Sequence, residues 1–223
     1  MSVVRHSVAQ RSPDWFALRE SRVGASQAKA VVSGKETVGR RDLLVQLALA
    51  RLGGTPRRST FVSEAMQHGI DTEEQARGVY EMVTGASVER VGYLTSDTWA
   101  GCGVSPDGVI GAEGLLEIKC PKDYTHWFTL QRGLGEVDPD ASPLEAIPTS
   151  YRPQLLHALL VSGARWIDFV SFSPSFPESM QLYVARVERE AVQEEITGYG
   201  EALTMFLAEV DATVTQMSSL ITS

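Results

Sequence analysis

Two cysteines in 223 residues, Cys102 and Cys120, are too few for a disulfide framework, and reduced core thiols are the expectation. No Cys/His spacing matches a zinc site. The four histidines, His6, His68, His126 and His157, are scattered, and none sits in an HExxH or triad-like context. A GxxxxGK[ST] phosphate loop is missing, and so is a GxGxxG following a strand. No apolar run is long enough to span a bilayer, so no membrane partner is expected. Met1-Ser2-Val3-Val4-Arg5-His6 lacks the apolar core of a signal peptide, so the expected compartment is the cytoplasm. Surplus basic charge is also missing: 20 Lys+Arg against 28 Asp+Glu leave a net charge of -8. That excludes a protein that coats nucleic acid by bulk charge, but not an enzyme that confines its cations to a groove.

What is present is a globular profile, 43% hydrophobic and 22% charged, with no internal repeat, low-complexity tract or linker. One α/β domain over residues 1–223 is the simplest organisation. It would have a central mixed sheet flanked by helices. N-terminal helices occupy about 12–85, the sheet about 87–121, and further helices and strands about 123–217.

Ser12-Pro13-Asp14 reads as a helix start, with a capping hydroxyl, a proline at the first helical position and an acid at the positive end of the dipole. Arg19 closes that helix. Val23-Gly24-Ala25-Ser26 turns into a second helix. Its Ser26 is either a plain cap or, with Arg19 nearby, part of an anion site. An amphipathic helix is expected over 40–52 and a long one over 61–84, interrupted near Gly69. Arg57 and Arg58, between them, read as a solvated pair. Asp71, Glu73 and Glu74 follow Gly69 and read as solvated unless one faces a site. Strands are expected over 87–94 and 100–105. Asp123 to Gln131 reads as a helix. Residues 133–149, rich in Gly, Pro, Asp and Ser, read as a long exposed loop. A helix over 151–162 follows, then strands over 166–172 and 180–187. A last helix covers 189 to about 217, with a possible bend at Gly198-Tyr199-Gly200.

The concentrated chemistry lies in Ser105-Pro106-Asp107-Gly108-Val109-Ile110-Gly111 and Leu115-Leu116-Glu117-Ile118-Lys119-Cys120. Apolar residues flank a Gly-rich turn, the pattern of two short strands in a hairpin. Leu116 and Ile118 point to one face, Glu117 and Lys119 to the other. Asp107 enters from the preceding strand. Two readings stand: an exposed hairpin with an ordinary ion pair, or two carboxylates holding a hard cation with a lysine beside a water.

This hairpin, with Ser-Pro-Asp-Gly followed by Leu-Glu-Ile-Lys-Cys-Pro, resembles the core motif of the PD-(D/E)xK nuclease superfamily. More narrowly it resembles the lambda-exonuclease-like family of viral recombinase and alkaline exonucleases. Trp15-Phe16-Ala17-Leu18-Arg19 with Gly24-Ala25-Ser26, Gly69-Ile70-Asp71-Thr72-Glu73 and Tyr151-Arg152-Pro153-Gln154 are similar to further family segments, in the family's order, over roughly residues 12–190. The resemblance implies a restriction-endonuclease-like core and a phosphodiester hydrolase. Its expected activity is 5'-to-3' digestion of duplex DNA ends, leaving 3' single strands for recombination. It implies Mg2+, with Mn2+ as a substitute, on Asp107, Glu117 and the Ile118 carbonyl. Lys119 would position the water and Glu73 would assist. Arg19, Ser26, Ser105 and Gln154 would receive a 5'-phosphate, and Met66 would wedge the last base pair. It further implies a homotrimeric ring, a single-strand annealing partner, and the cytosol of a bacterium or of a phage-infected host. His157 and Ala158 follow Gln154, where related nucleases often carry a tyrosine, and the loop around 136–143 reads as longer than in the family's lambda member.

Overall fold

A computed structural model describes residues 2–56, 64–135 and 141–221, apart from the side chains of 64–66, 68–70 and 221. Met66 therefore contributes only its place in a helix, and Arg57 and Arg58 lie outside the described residues.

The first element is one the composition hides. Strand β1 (Val3–His6) pairs antiparallel with β4 (Tyr93–Ser96). Helix α1 (Pro13–Arg19) starts as its residues dictate: the Ser12 hydroxyl accepts the Trp15 N–H at 3.2 Å, with Pro13 in the first turn. The expected second helix is mostly a tighter 3-10 turn over Ala25–Gln27, ahead of a four-residue α2 (Ala28–Val31). A two-residue strand, β2 (Val23–Gly24), precedes that turn and pairs in parallel with β5 (Cys102–Gly103). Helix α3 (Val38–Arg51) follows, then α4 (Glu64–Thr84). Gly69 does not interrupt α4. One interior glycine costs only about 1 kcal/mol, which the packed face of a 21-residue helix outweighs.

The main sheet has five strands in the order β3 (Val88–Glu89), β6 (Gly108–Ile110), β7 (Gly114–Lys119), β8 (Trp166–Phe172) and β9 (Leu182–Glu188). The stretch expected as one strand over 87–94 is divided between this sheet and the β1–β4 pair. β7 and β8 run parallel and the other neighbours antiparallel. The parallel crossover carries α5 (Asp123–Leu134) and α6 (Arg152–Ser162). The chain closes on α7 (Gln193–Ile221), which passes through Gly198–Tyr199–Gly200 without a break.

The alternation expected on β7 is realised. Leu116 and Ile118 join Val170 and Phe172 of β8 and pack on Ala76 and Tyr80 of α4. Leu115 joins Ile167 and Phe169 in the larger core with Leu155 and Leu159 of α6. On the α4 side, Asp168 is 1% exposed, and its carboxylate is answered by Arg186 at 2.8 and 2.9 Å and by the Tyr80 hydroxyl at 2.6 Å. Paired this fully, it is a structural carboxylate.

The segment expected as an exposed loop, 133–149, departs from that expectation. Residues 136–140 lie outside the described residues. Pro143–Ala146 is a 3-10 helix, Leu144 is buried and Ile147 is fully so. Two aliphatic side chains inside a polar stretch decided its fate, because burying each is worth roughly 1.5–3 kcal/mol.

His157 is also in the core. Its Nε2 faces the Gly103 carbonyl at 3.2 Å, and its Nδ1 faces the Tyr199 hydroxyl at 2.8 Å. Nε2 donates to the carbonyl, and the Tyr199 hydroxyl can serve either role, so burial is what favours the neutral imidazole. Burial lowers its pKa to about 4. Its contribution to stability is complete above the unfolded value of about 6.5 and is lost as pH falls toward 4, up to roughly 3 kcal/mol. We expect His157→Gln to cost most at pH 7.5, and its stability gap to wild type to shrink between pH 6.5 and 4.5 in urea titrations. A gap that stayed constant with pH would contradict this account.

Candidate active site

Asp107 and Glu117 meet because of register. Gly108 pairs with Leu116 across the hairpin, and the Asp107 N–H donates to the Leu116 carbonyl at 3.0 Å. One step further out, Asp107 stands opposite Glu117. The β6 ladder ends there, and the Asp107 carboxylate takes over: Oδ2 accepts the Ile118 N–H at 2.6 Å. Gly111, at φ 58, makes the turn that returns the chain.

Glu117 is 3% exposed, and its Oε1 receives both the Lys119 ammonium and the Gln154 amide. The ordinary surface ion pair is thereby excluded, because this carboxylate is inside the protein. Lys119 lies over the Tyr151 ring, 5.5 Å from its centre. Burial pushes the Asp107 pKa well above the usual carboxylate range, and the Glu117 charge pushes it further. Glu73 adds to the effect, while Lys119 and the Ile118 N–H oppose it. Burial pulls the Lys119 pKa down, but Glu117 and Asp107 outweigh it and the net direction is up. Lys119 is therefore held as an ammonium.

Glu73 stands on the α4 side of Asp107. Its carboxylate accepts from Arg77 at 2.7 Å, and the same guanidinium donates to the Asp107 carbonyl at 3.1 Å. Burial pushes the Cys120 thiol up to about 12, with Glu73 and Asp107 adding to it, and burial takes Cys102 to about 12 as well. Burial thus disfavours the thiolate at both positions.

The residues suit a hard divalent cation. Two carboxylates share a buried space, where burial and their mutual charge raise the Asp107 pKa and a cation would offset both. Among the described residues no three His, Cys, Asp or Glu side chains converge into a ready cage. The donor set would thus be two carboxylates completed by backbone and water oxygens.

Just upstream, the Ser105 hydroxyl accepts from Trp15 Nε1 at 2.8 Å and from Arg19 at 3.1 Å. Arg19 stacks on Trp15, 4.1 Å from the ring centre. It also lies so close to Gly24 that an added Cβ would come within 3.2 Å of its guanidinium. Ser26 is exposed in the adjoining 3-10 turn. Arg19 thus meets Ser105 and lies against Gly24 at the start of the Gly24–Ser26 turn, whereas Gln154 turns its amide to Glu117. Arg77 was not singled out by sequence reasoning, and Trp15 only as the first residue of the segment that ends at Arg19. Spacing identifies Arg77 only in hindsight, four residues after Glu73 on one helix face.

The sequence pattern of the YqaJ-like viral recombinase domain matches residues 14–165. The chain belongs to that family. The crystal structure of an alkaline exonuclease (LHK-Exo) from Laribacter hongkongensis is similar to it. Identity is 33% and the TM-score 0.77, over 95% of this chain and 98% of that one. The same protein solved in complex with dAMP matches equally well. A phage-related exonuclease from Haemophilus somnus 129PT shares the fold, with a TM-score of 0.57 at 14% identity over 88% of this chain and 96% of that one. No curated protein matches significantly in sequence. This YqaJ-like chain therefore has the PD-(D/E)xK type of α/β nuclease fold and belongs to a family of viral recombinases and alkaline exonucleases. Among the described residues no helix is long and apolar enough to cross a membrane.

Proposed function

We propose that this chain is a Mg2+-dependent exonuclease that digests linear duplex DNA from 5'-phosphorylated ends in the 5'-to-3' direction. It leaves 3' single strands for recombination. One observation carries the reading: Ser105, bonded to Arg19, is two residues from Asp107, which faces Glu117 and Lys119. A hydroxyl held by Arg19 thus sits two residues from the carboxylate pair.

Arg19, Ser105 and Ser26 receive the terminal 5'-phosphate, with Gln154 at the border between that pocket and Glu117. Asp107, Glu117 and the Ile118 carbonyl hold Mg2+ or, in its place, Mn2+. When bound, the ion lowers the pKa of a water and offsets charge on the phosphoryl group. Lys119, kept as an ammonium, orients the water by donation and does not act as its base. Glu73 assists from α4, and Met66, seven residues earlier on that helix, separates the last base pair. The water oxygen bonds to phosphorus and the P–O3' bond breaks. The departing 3'-oxygen takes up a proton, and the shortened strand keeps a 5'-phosphate. That polarity regenerates the end the Arg19 pocket reads. A homotrimeric ring around the duplex reconciles the net charge of -8 with DNA binding, since cations need only line the bore. A single-strand annealing protein would take up the product.

The test supplies Mg2+ with three substrates: 5'-phosphorylated linear duplex, the same duplex dephosphorylated, and a covalently closed circle. The phosphorylated end should be digested fastest, by about tenfold or more over the bare end, and the circle should stay intact. Cleavage of the circle would indicate an endonuclease of the same fold. Tight end binding without nucleotide release in Mg2+ or Mn2+ would indicate a recombination scaffold.

A further inference from the structure

A cleft of about 600 Å³ opens on the α4 side of the site, and Asp107 and Glu73 both line it. Its other walls are the Ser7–Arg11 connection and the Glu89–Gly92 segment. Three of its arginines are already neutralised. Arg5 pairs with Glu89, Arg90 with Glu74, and Arg77 with both Glu73 and Glu74. Arg11 is exposed and has no ion pair or hydrogen bond from its side chain among the described residues.

Arg11 is also conformationally exceptional. Its φ of 68 makes it the one non-glycine residue with a left-handed backbone among the described residues. A side chain there is strained where glycine would not be. The surroundings enforce the shape. Gln10 donates to the Val91 carbonyl at 3.1 Å and to the Pro106 carbonyl at 2.9 Å. The Val8 carbonyl sits so tightly on Gly92 that an added Cβ would lie 1.8 Å from it. The connection is thus fastened to the residue preceding Asp107, and among the described residues the arginine it presents is the one in the cleft without an ion pair. Strain kept in place at the rim of a catalytic cleft points to a use for the side chain.

We propose that Arg11 is a binding residue for a nucleotide phosphate in this cleft, beside the Asp107–Glu117 centre. This rests on the nuclease reading of that centre. The phosphate belongs either to the DNA strand or to the released nucleotide.

Arg11→Gly tests the idea cleanly, because glycine keeps the backbone conformation, relieves its strain and removes the cation. Binding of a 5'-phosphorylated duplex oligonucleotide is read by fluorescence anisotropy without divalent ions, over a salt series. Binding of a deoxynucleoside 5'-monophosphate is read by calorimetry. A strand phosphate predicts about tenfold weaker duplex binding and a log–log salt slope smaller by about 0.9. In digestion it predicts a raised KM at near-constant kcat. A product phosphate predicts about tenfold weaker monophosphate binding with duplex binding unchanged. In either case Arg11→Lys retains most of the affinity and the melting temperature of Arg11→Gly does not fall. If both affinities and the salt slope match wild type, the proposal is overturned. Should wild type digest no duplex, the nuclease reading fails on its own, and the binding comparison still decides the role of Arg11.

Discussion

Asp107→Asn is expected to lower the rate of duplex digestion by at least ~100-fold while the protein stays folded. The amide keeps an oxygen for the Ile118 N–H, now taken at 2.6 Å by Oδ2. It loses the negative charge a cation requires. The stability effect runs the other way. Burial and Glu117 hold the Asp107 pKa above the ordinary carboxylate value. Ionising this group therefore works against folding, and the penalty grows as pH rises from the ordinary value through the raised one. With a chelator present at pH 8, Asp107→Asn should melt no lower than wild type. Lys119→Ala should lose a comparable factor in rate but also lose stability, because Glu117, 3% exposed, is left with Gln154 as its donor. Digestion at wild-type speed by either variant would overturn the site assignment. Melting curves separate the two roles: a charge used for function and a charge needed by the fold.

Arg19→Ala carries the second large effect. Wild type should prefer 5'-phosphorylated ends, and the variant should digest phosphorylated and bare ends at the same low rate. A charge-assisted guanidinium–phosphate contact is worth roughly 1.5–3 kcal/mol, so about 10- to 100-fold should disappear from the phosphorylated substrate alone. Arg19→Lys should recover only part of this, since an ammonium can neither stack on Trp15 nor present a planar fork. The ratio of the two rates is the quantity to measure. If Arg19→Ala kept the wild-type preference, the pocket would have to be sought elsewhere.

The hairpin was legible in the sequence because everything it needs is local. The two-residue period of a strand places Leu116 and Ile118 opposite Glu117 and Lys119, and Gly111 supplies the turn. Helix α1 was legible for the same reason, its cap and first turn being written in three consecutive residues. Where contacts are distant, the sequence was silent or misleading. Strand β1 has no period of its own and exists through pairing with β4, some ninety residues away. Gly69 read as a break because local propensity disfavours it, yet packing of α4 on β7 carried the helix through. Residues Leu144 and Ile147 looked like loop, and the core claimed them.

By itself, the sequence determined the kind of chemistry open to this chain. It offered no zinc, disulfide or phosphate-loop spacing, and it placed Asp107, Glu117 and Lys119 within thirteen residues around one hairpin. Only the tertiary structure decided the environment of those groups. It buried Glu117, paired it with Gln154 from α6, raised the Asp107 pKa, brought Arg19 to Ser105, and fastened Arg11 at the rim of the cleft. The physical reason is that side-chain direction follows from short-range periodicity, whereas charge state and accessibility depend on atoms contributed by elements far apart in the chain.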